Sequence, residues 1–155
     1  MGLPTSGGHV QRERGRRPEE SFGRFGYMAP IDLAIRQAMR SRCRYRMAAV
    51  LVAGNRVLAW SPNLRRNNPM IDFRHATFHA EEAVLRRARH TAGAVIYIAR
   101  VNLAGSPLLA RPCPRCQQAL AIAGVTRAHY TTGATTVGTL VIAGSSLHQT
   151  PVPVP

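Results

Sequence analysis

Five side chains in two short stretches have the types and spacing to hold a metal ion and move a proton. HAEE carries His79, Glu81 and Glu82, and PCPRC carries Cys113 and Cys116. Two thiolates and one imidazole suit Zn²⁺, a borderline-soft ion that takes tetrahedral nitrogen and sulfur ligands. His79, Cys113 and Cys116 would be three donors, leaving a fourth position to water, the open arrangement of a catalytic zinc. Zinc lowers the pKa of such a water to about 7. Glu81 stands just beyond His79, beside the metal but not needed as a ligand. A carboxylate there can take a proton from water and pass it to a leaving group.

Other readings compete. His75 could join His79 and the two cysteines in a closed structural Cys2His2 site, which leaves Glu81 without a role. A thioredoxin-like redox C-x-x-C leaves His79-Ala80-Glu81 unexplained. Glu81 and Glu82 both sit where a first-turn carboxylate stabilises a helix dipole; that account serves for Glu82, whereas the neighbouring His79 favours catalysis for Glu81. The third cysteine, Cys43, reads as a small core residue. An odd cysteine count argues against a disulfide framework.

The elements that must position these groups follow from periodicity. PIDLAIRQAMRS has helical spacing and opens on Pro30. RMAAVLVAG and RVLAWSPN flank Gly54-Asn55 as a hairpin. NLRRNNPMIDFRHAT is a polar loop, and FHAEEAVLRRARH a helix whose Arg86, Arg87 and Arg89 form a solvated face. AVIYIARV is a strand covered on both faces, and NLAGSPLLARP a loop. CPRCQQALAIAG is a helix with Pro114 in its first turn and Gly124 at its end. VTRAHYTT and TVGTLVIAG are strands. Alternating strands and helices in the middle imply parallel pairing there. The TGAT link is too short for a parallel crossover, so the last two strands should be antiparallel neighbours. Both chemistry-bearing helices start after a strand or its loop, so their N-termini can share the crevice at the strands' carboxyl ends. Helix N-termini also favour thiolates.

H-A-E opening one helix, an intervening strand, and P-C-x-x-C opening the next resemble the zinc-dependent cytidine and deoxycytidylate deaminase superfamily, over about residues 30 to 142. The resemblance implies a three-layer α/β/α sandwich with a five-stranded mixed sheet, its last two strands antiparallel. It implies zinc as cofactor on His79, Cys113 and Cys116, with Glu81 shuttling protons between water, ring nitrogen and departing ammonia. The backbone N–H of Ala80 would hold the ring carbonyl, and Asn63 in WSPN would touch the substrate sugar. Arg65 and Arg66 follow Asn63 and are assigned to a phosphate by charge, not by motif. Relatives acting on deoxycytidylate, nucleic acids and tRNA usually place a helix between the last two strands. TGAT leaves no room for one, which leans the topology toward the cytidine-deaminase and bacterial-toxin branches.

The implied reaction is attack of water at C4 of cytosine, releasing ammonia and leaving uracil. The first choice of substrate is a free nucleoside or nucleotide: cytidine, deoxycytidine or dCMP. One alternative is cytosine in single-stranded DNA or RNA, whose backbone an arginine-rich surface would track. Another is a non-catalytic, zinc-stapled nucleic-acid-binding module. One motif serves the whole superfamily, so adenine and guanine stay open. Some relatives complete their pocket across subunits, so a homo-oligomer is expected.

Composition sets the bounds. The 155 residues, 45% hydrophobic, suit one domain. No apolar run approaches the roughly 18 residues of a membrane span, and the polar N-terminus does not read as a signal peptide, so a cytoplasmic protein with no membrane partner is expected. Residues 1–28 read as a disordered or loosely attached leader, 29–143 as the deaminase domain and 144–155 as a Pro-rich tail. The formal charge is +14, with every basic residue an Arg. Coding bias explains Arg in place of Lys but not the excess of basic residues, which fits a phosphate-bearing partner. Trp60, Phe73, Phe78 and Tyr130 read first as core aromatics, with Phe73 or Tyr130 available to stack on a base. His90 and His129 read as helix-end and surface or core residues.

Overall fold

The apolar run RMAAVLVA forms strand β1 (Arg46–Ala53). Gly54, at φ +55, then turns the chain back into β2 (Arg56–Pro62). A positive φ costs glycine nothing, which is why the hairpin turns there. The computed structural model describes residues 29–65 and 77–142. The expected leader and Pro-rich tail, with Arg66, Phe73 and His75, lie outside the described residues.

Three layers follow from the alternation of side chains along the central strands. Ala48, Val50 and Val52 of β1 pack on Ala34 and Ala38 of α1 (Pro30–Met39). Ala49 and Leu51 face the other way, against Ala80 and Val84 of α2 (Ala80–Arg87) and Leu120 of α3 (Pro114–Ile122). Strand β5 (Val95–Val101) repeats the division, with Ile96 and Ile98 on one face and Tyr97 and Ala99 on the other. Both central strands are therefore apolar nearly throughout, as strands covered on two faces must be.

The sheet runs β2-β1-β5-β7-β8, with β7 spanning Arg127–Thr131 and β8 Val137–Val141. β1 is antiparallel to both β2 and β5, β5 and β7 are parallel across α3, and β7 and β8 are antiparallel. The sandwich and the antiparallel final pair match the expectation, and residues 132–136 join that pair without a helix. The five-stranded sheet gains a sixth member, the two-residue β6 (Pro107–Leu108), on β5. Among the described residues, parallel pairing is confined to β5 and β7. β2 and β5 do run in the same direction, but β1 lies between them.

A second, two-stranded sheet pairs β3 (Leu64–Arg65) with β4 (Thr77–Phe78). Phe78, expected on the helix, therefore belongs to this sheet, and α2 stops at Arg87 because Ala88 is extended (ψ 135°). The arginines of α2 are not merely solvated: Arg86 lies over the Phe78 ring at 4.4 Å, and Arg87 donates to the Trp60 carbonyl at 3.1 Å. His129 stacks on Tyr97 with centroids 5.0 Å apart, and His90 is exposed. Among the described residues, no helix is long and apolar enough to cross a membrane.

Candidate active site

The two chemistry-bearing helices begin next to each other. His79 is the N-cap of α2 and Cys113 the N-cap of α3; both are extended, and neither side chain caps its own helix. A Ser or Asp at these positions would fold back onto the backbone N–H groups. Imidazole and thiol do not, so each is available across the gap. Cys116, at the third position of α3, is completely buried.

The three donors meet. His79 Nδ1 lies 3.2 Å from Cys116 Sγ and 3.6 Å from Cys113 Sγ. All three donor atoms lie within 4.8 Å of one another. With Zn–N near 2.0 Å and Zn–S near 2.3 Å, a tetrahedral ion separates nitrogen from sulfur by about 3.5 Å. The donors thus stand at the spacing one zinc ion requires.

Electrostatics point the same way. Glu81 is 2% exposed, and its Oε2 has no hydrogen-bond partner among the described residues. Burial pushes its pKa up; its own backbone N–H, His79 and Cys116 pull it down without cancelling that effect. Burial, then the Glu81 carboxylate, pushes the Cys116 thiol above the ordinary thiol range. A buried thiol beside a buried carboxylate with one unpartnered oxygen is costly in isolation. A divalent cation among them favours both anionic forms.

Supporting bonds fix the approach. Arg115 of α3 pairs with Glu82 of α2. Thr131, 2% exposed, donates from its hydroxyl to the Leu108 carbonyl at 2.6 Å and accepts from Arg100 N–H at 3.3 Å. Ala110 N–H donates to the Thr131 carbonyl at 2.8 Å. These bonds pin the segment before α3 to the ends of β5 and β7. Gln117 Nε2 then holds the Pro112 carbonyl at 2.8 Å, immediately before Cys113.

A cavity of about 350 Å³ opens beside His79, bounded by Asn63, Tyr45 and Leu109. That volume falls in the range of small-ligand sites. Arg44, Arg100 and Arg111 also line it. Ala80 is buried at the first position of α2, where its N–H has no intrahelical acceptor.

Asn63 lines the cavity, but most of its amide serves the chain itself. Oδ1 accepts from Ser41 Oγ at 2.6 Å and from Met47 N–H at 3.0 Å, and Nδ2 donates to the Tyr45 carbonyl at 2.8 Å. A ligand could engage only the second Nδ2 hydrogen. Cys43 is buried, with its thiol 3.6 Å from the Asn63 carbonyl. Arg65 is exposed, donates to the Arg42 carbonyl at 3.2 Å, and does not line the cavity beside His79. The cations at this cavity are instead Arg44, Arg100 and Arg111, which the sequence reading missed. They come from three separate segments, and the basic excess was their only signal.

The match to known proteins covers the same features. Residues 27–132 match the cytidine and deoxycytidylate deaminase zinc-binding region. The dCMP deaminase of cyanophage S-TIM5 in apo form shares 20% identity at a TM-score of 0.53, over 66% of this chain and 79% of that one. The same enzyme in complex with dCMP and dUMP gives 20% identity and a TM-score of 0.51, over 64% and 76%. A structure from work on A-to-I editing by tRNA:A34 deaminases at the wobble position shares 28% identity at a TM-score of 0.47, over 65% and 72%. Among curated proteins, none matches the chain. At 20% identity the likeness to the phage enzyme is one of fold. The family match spans β1 through β7 and includes every donor of the His-Cys-Cys cluster. The chain belongs to the cytidine and deoxycytidylate deaminase family, with zinc as its metal.

Proposed function

We propose that the protein is a hydrolytic deaminase converting cytosine to uracil in a nucleotide, with His79, Cys113 and Cys116 as zinc ligands and Glu81 as the proton carrier. The observation that carries this reading is the buried Glu81 carboxylate, with an unpartnered oxygen, beside three converged metal donors. A closed structural site would have no use for that carboxylate, and His75, the residue that would close it, lies outside the described residues.

When bound, zinc supplies the Lewis acidity that makes water a nucleophile near neutral pH. The chain's own groups do the rest. The Ala80 N–H holds the ring carbonyl, orienting C4 toward the water. Glu81 accepts a proton from that water and delivers it to ring N3 as the water oxygen bonds to C4. Its raised pKa suits a group that must both accept and return a proton. Glu81 then carries the second proton of the same water to the amino group. The C4–N bond breaks, its electron pair leaves with ammonia, and uracil remains. Arg44, Arg100 and Arg111 would pair with the substrate phosphate, which favours a nucleotide over a free nucleoside.

Ammonia release from cytidine, deoxycytidine, CMP, dCMP and the adenine counterparts tests this. The zinc-loaded protein is expected to act on a cytosine nucleotide. Glu81→Gln should keep zinc and lose turnover by about 10²–10⁴-fold. Full activity in Glu81→Gln, or no release from any of these compounds or from a cytosine-bearing strand, would end the proposal.

A further inference from the structure

We infer that the cytosine is presented within a single-stranded polynucleotide, which lies in a basic trough running across the active-site cavity. This rests on the deaminase reading above.

The cavity beside His79 does not stand alone. On one side lies a concavity of about 320 Å³ that shares Cys43 and Asn63 with it and adds Arg40, Arg42 and Arg65. On the other lies one of about 220 Å³ that shares Arg44, Tyr45 and Arg100 and adds Arg46. Shared walls make the three neighbours. Among the described residues, seven arginines line them and no carboxylate does. A mononucleotide carries one phosphoryl group and one base, so the central cavity with its own three arginines is enough for it. Arg40, Arg42, Arg65 and Arg46 lie on the flanks, beyond what one phosphoryl group needs.

Each concavity also offers an apolar surface that is exposed to solvent. Leu64 is 37% exposed on one flank, Leu109 56% at the centre and Leu103 82% on the other flank. Tyr45, on the wall shared by the central and second flanking concavities, is 55% exposed. The guanidinium groups of Arg44 and Arg100 lie 5.6 Å and 4.9 Å from its ring centroid. Guanidinium groups interleaved with apolar and aromatic surface match a strand that alternates phosphates with bases. The sequence RCRYR, residues 42–46, supplies three of these arginines and the tyrosine from one short segment.

The test uses the full chain carrying Glu81→Gln and loaded with zinc, so that binding is read without turnover. Fluorescence anisotropy compares short oligo-dC and oligo-rC strands with dCMP and CMP as competitors. We expect a strand to bind at least about ten-fold more tightly than either mononucleotide, more weakly as salt rises. The tighter of the two strands identifies the sugar. Arg42→Gln/Arg46→Gln, one change on each flank, should weaken strand binding about ten-fold more than mononucleotide binding. It should also make the slope of log K against log salt shallower by about 1.4. Exposed Arg42→Gln alone should move both readouts in the same direction, which guards against misfolding of the double variant. A strand that binds no better than a mononucleotide, or variants that weaken both ligands equally, would overturn the trough. Deamination of dCMP without tight strand binding removes the trough and keeps the deaminase. Tight strand binding with no turnover of any substrate by the unmutated protein removes the deaminase and with it the polynucleotide as substrate.

Discussion

Arg115 and Glu82 form an ion pair that ties the first turn of α3 to the first turn of α2. Arg115 lies between the two cysteines, and Glu82 lies one turn beyond His79, so the pair spans the gap that the metal must also span. Arg115 is half exposed, so water screens the attraction and its contribution to overall stability is small. Its effect should be geometric, setting how closely the imidazole approaches the sulfurs. Arg115→Ala and Glu82→Gln are therefore expected to fold normally yet bind zinc about 10–100-fold more weakly. Chelator competition measures this directly, and unchanged zinc affinity in both variants would show that the backbone alone positions the donors.

Asn63 fastens the cavity wall. Its amide holds Ser41, Tyr45 and Met47, the segment that carries Cys43 and Arg44 past the site. Asn63→Ala would leave a backbone N–H, a hydroxyl and a carbonyl short of a partner, at about 1–3 kcal/mol for each group that stays buried. We expect a loss of at least about 2 kcal/mol in urea unfolding, together with weaker substrate binding. Asn63→Asp keeps the acceptors but turns an oxygen toward the Tyr45 carbonyl, so it too should destabilise. A variant with a raised KM and unaltered unfolding would make Asn63 a ligand contact only.

The donors were legible in the sequence because each is local to a helix start. His79 and Cys113 precede their helices directly, and Pro114 and Gly124 mark the limits of α3 chemically. The central strands were legible because burial on two faces leaves an unbroken apolar run. Phe78 was misplaced because its spacing to Glu82 and Leu85 imitates a helix, whereas pairing with Leu64 puts Thr77-Phe78 in a strand. The proposed phosphate partners differ from the expected ones for a related reason. Arg65 was chosen for its place beside Asn63 in the chain, yet it faces the neighbouring concavity. Arg44, Arg100 and Arg111 converge only after β1 and β5 pair and the segment before α3 is pinned by Thr131. Such long-range closure leaves no trace in local spacing.

Gly138 is required by its cross-strand partner. It sits opposite Tyr130 in the β7–β8 pair, and a Cβ there would meet Tyr130 Cζ at 2.6 Å and Oη at 2.8 Å. Tyr130 is 8% exposed and belongs to the main core, so its ring cannot move without disturbing Ala128, Ile142 and their neighbours. Gly138→Ala should cost about 1–3 kcal/mol, as overpacked cores do. Tyr130→Leu in the same background should recover part of that loss, because the two sites are coupled. Thermal unfolding of the single and double variants checks it; additive losses would mean that the ring and the glycine do not compete for space.

Zinc should stabilise the fold as well as arm it. The three donors come from the starts of two helices far apart in the chain, and in the unfolded polypeptide nothing holds them together. A ligand that binds only the folded form at one hundred times its Kd adds about 2.7 kcal/mol. Removing zinc with a chelator is therefore expected to lower the melting temperature, and restoring one equivalent should recover it. Cys116→Ser and Cys113→Ser should each melt like the chelated protein and gain little from added zinc, because a neutral hydroxyl is a poor zinc ligand beside a thiolate. Melting curves of the unmutated protein that ignore both chelator and zinc would show that His79, Cys113 and Cys116 lie close together without sharing an ion.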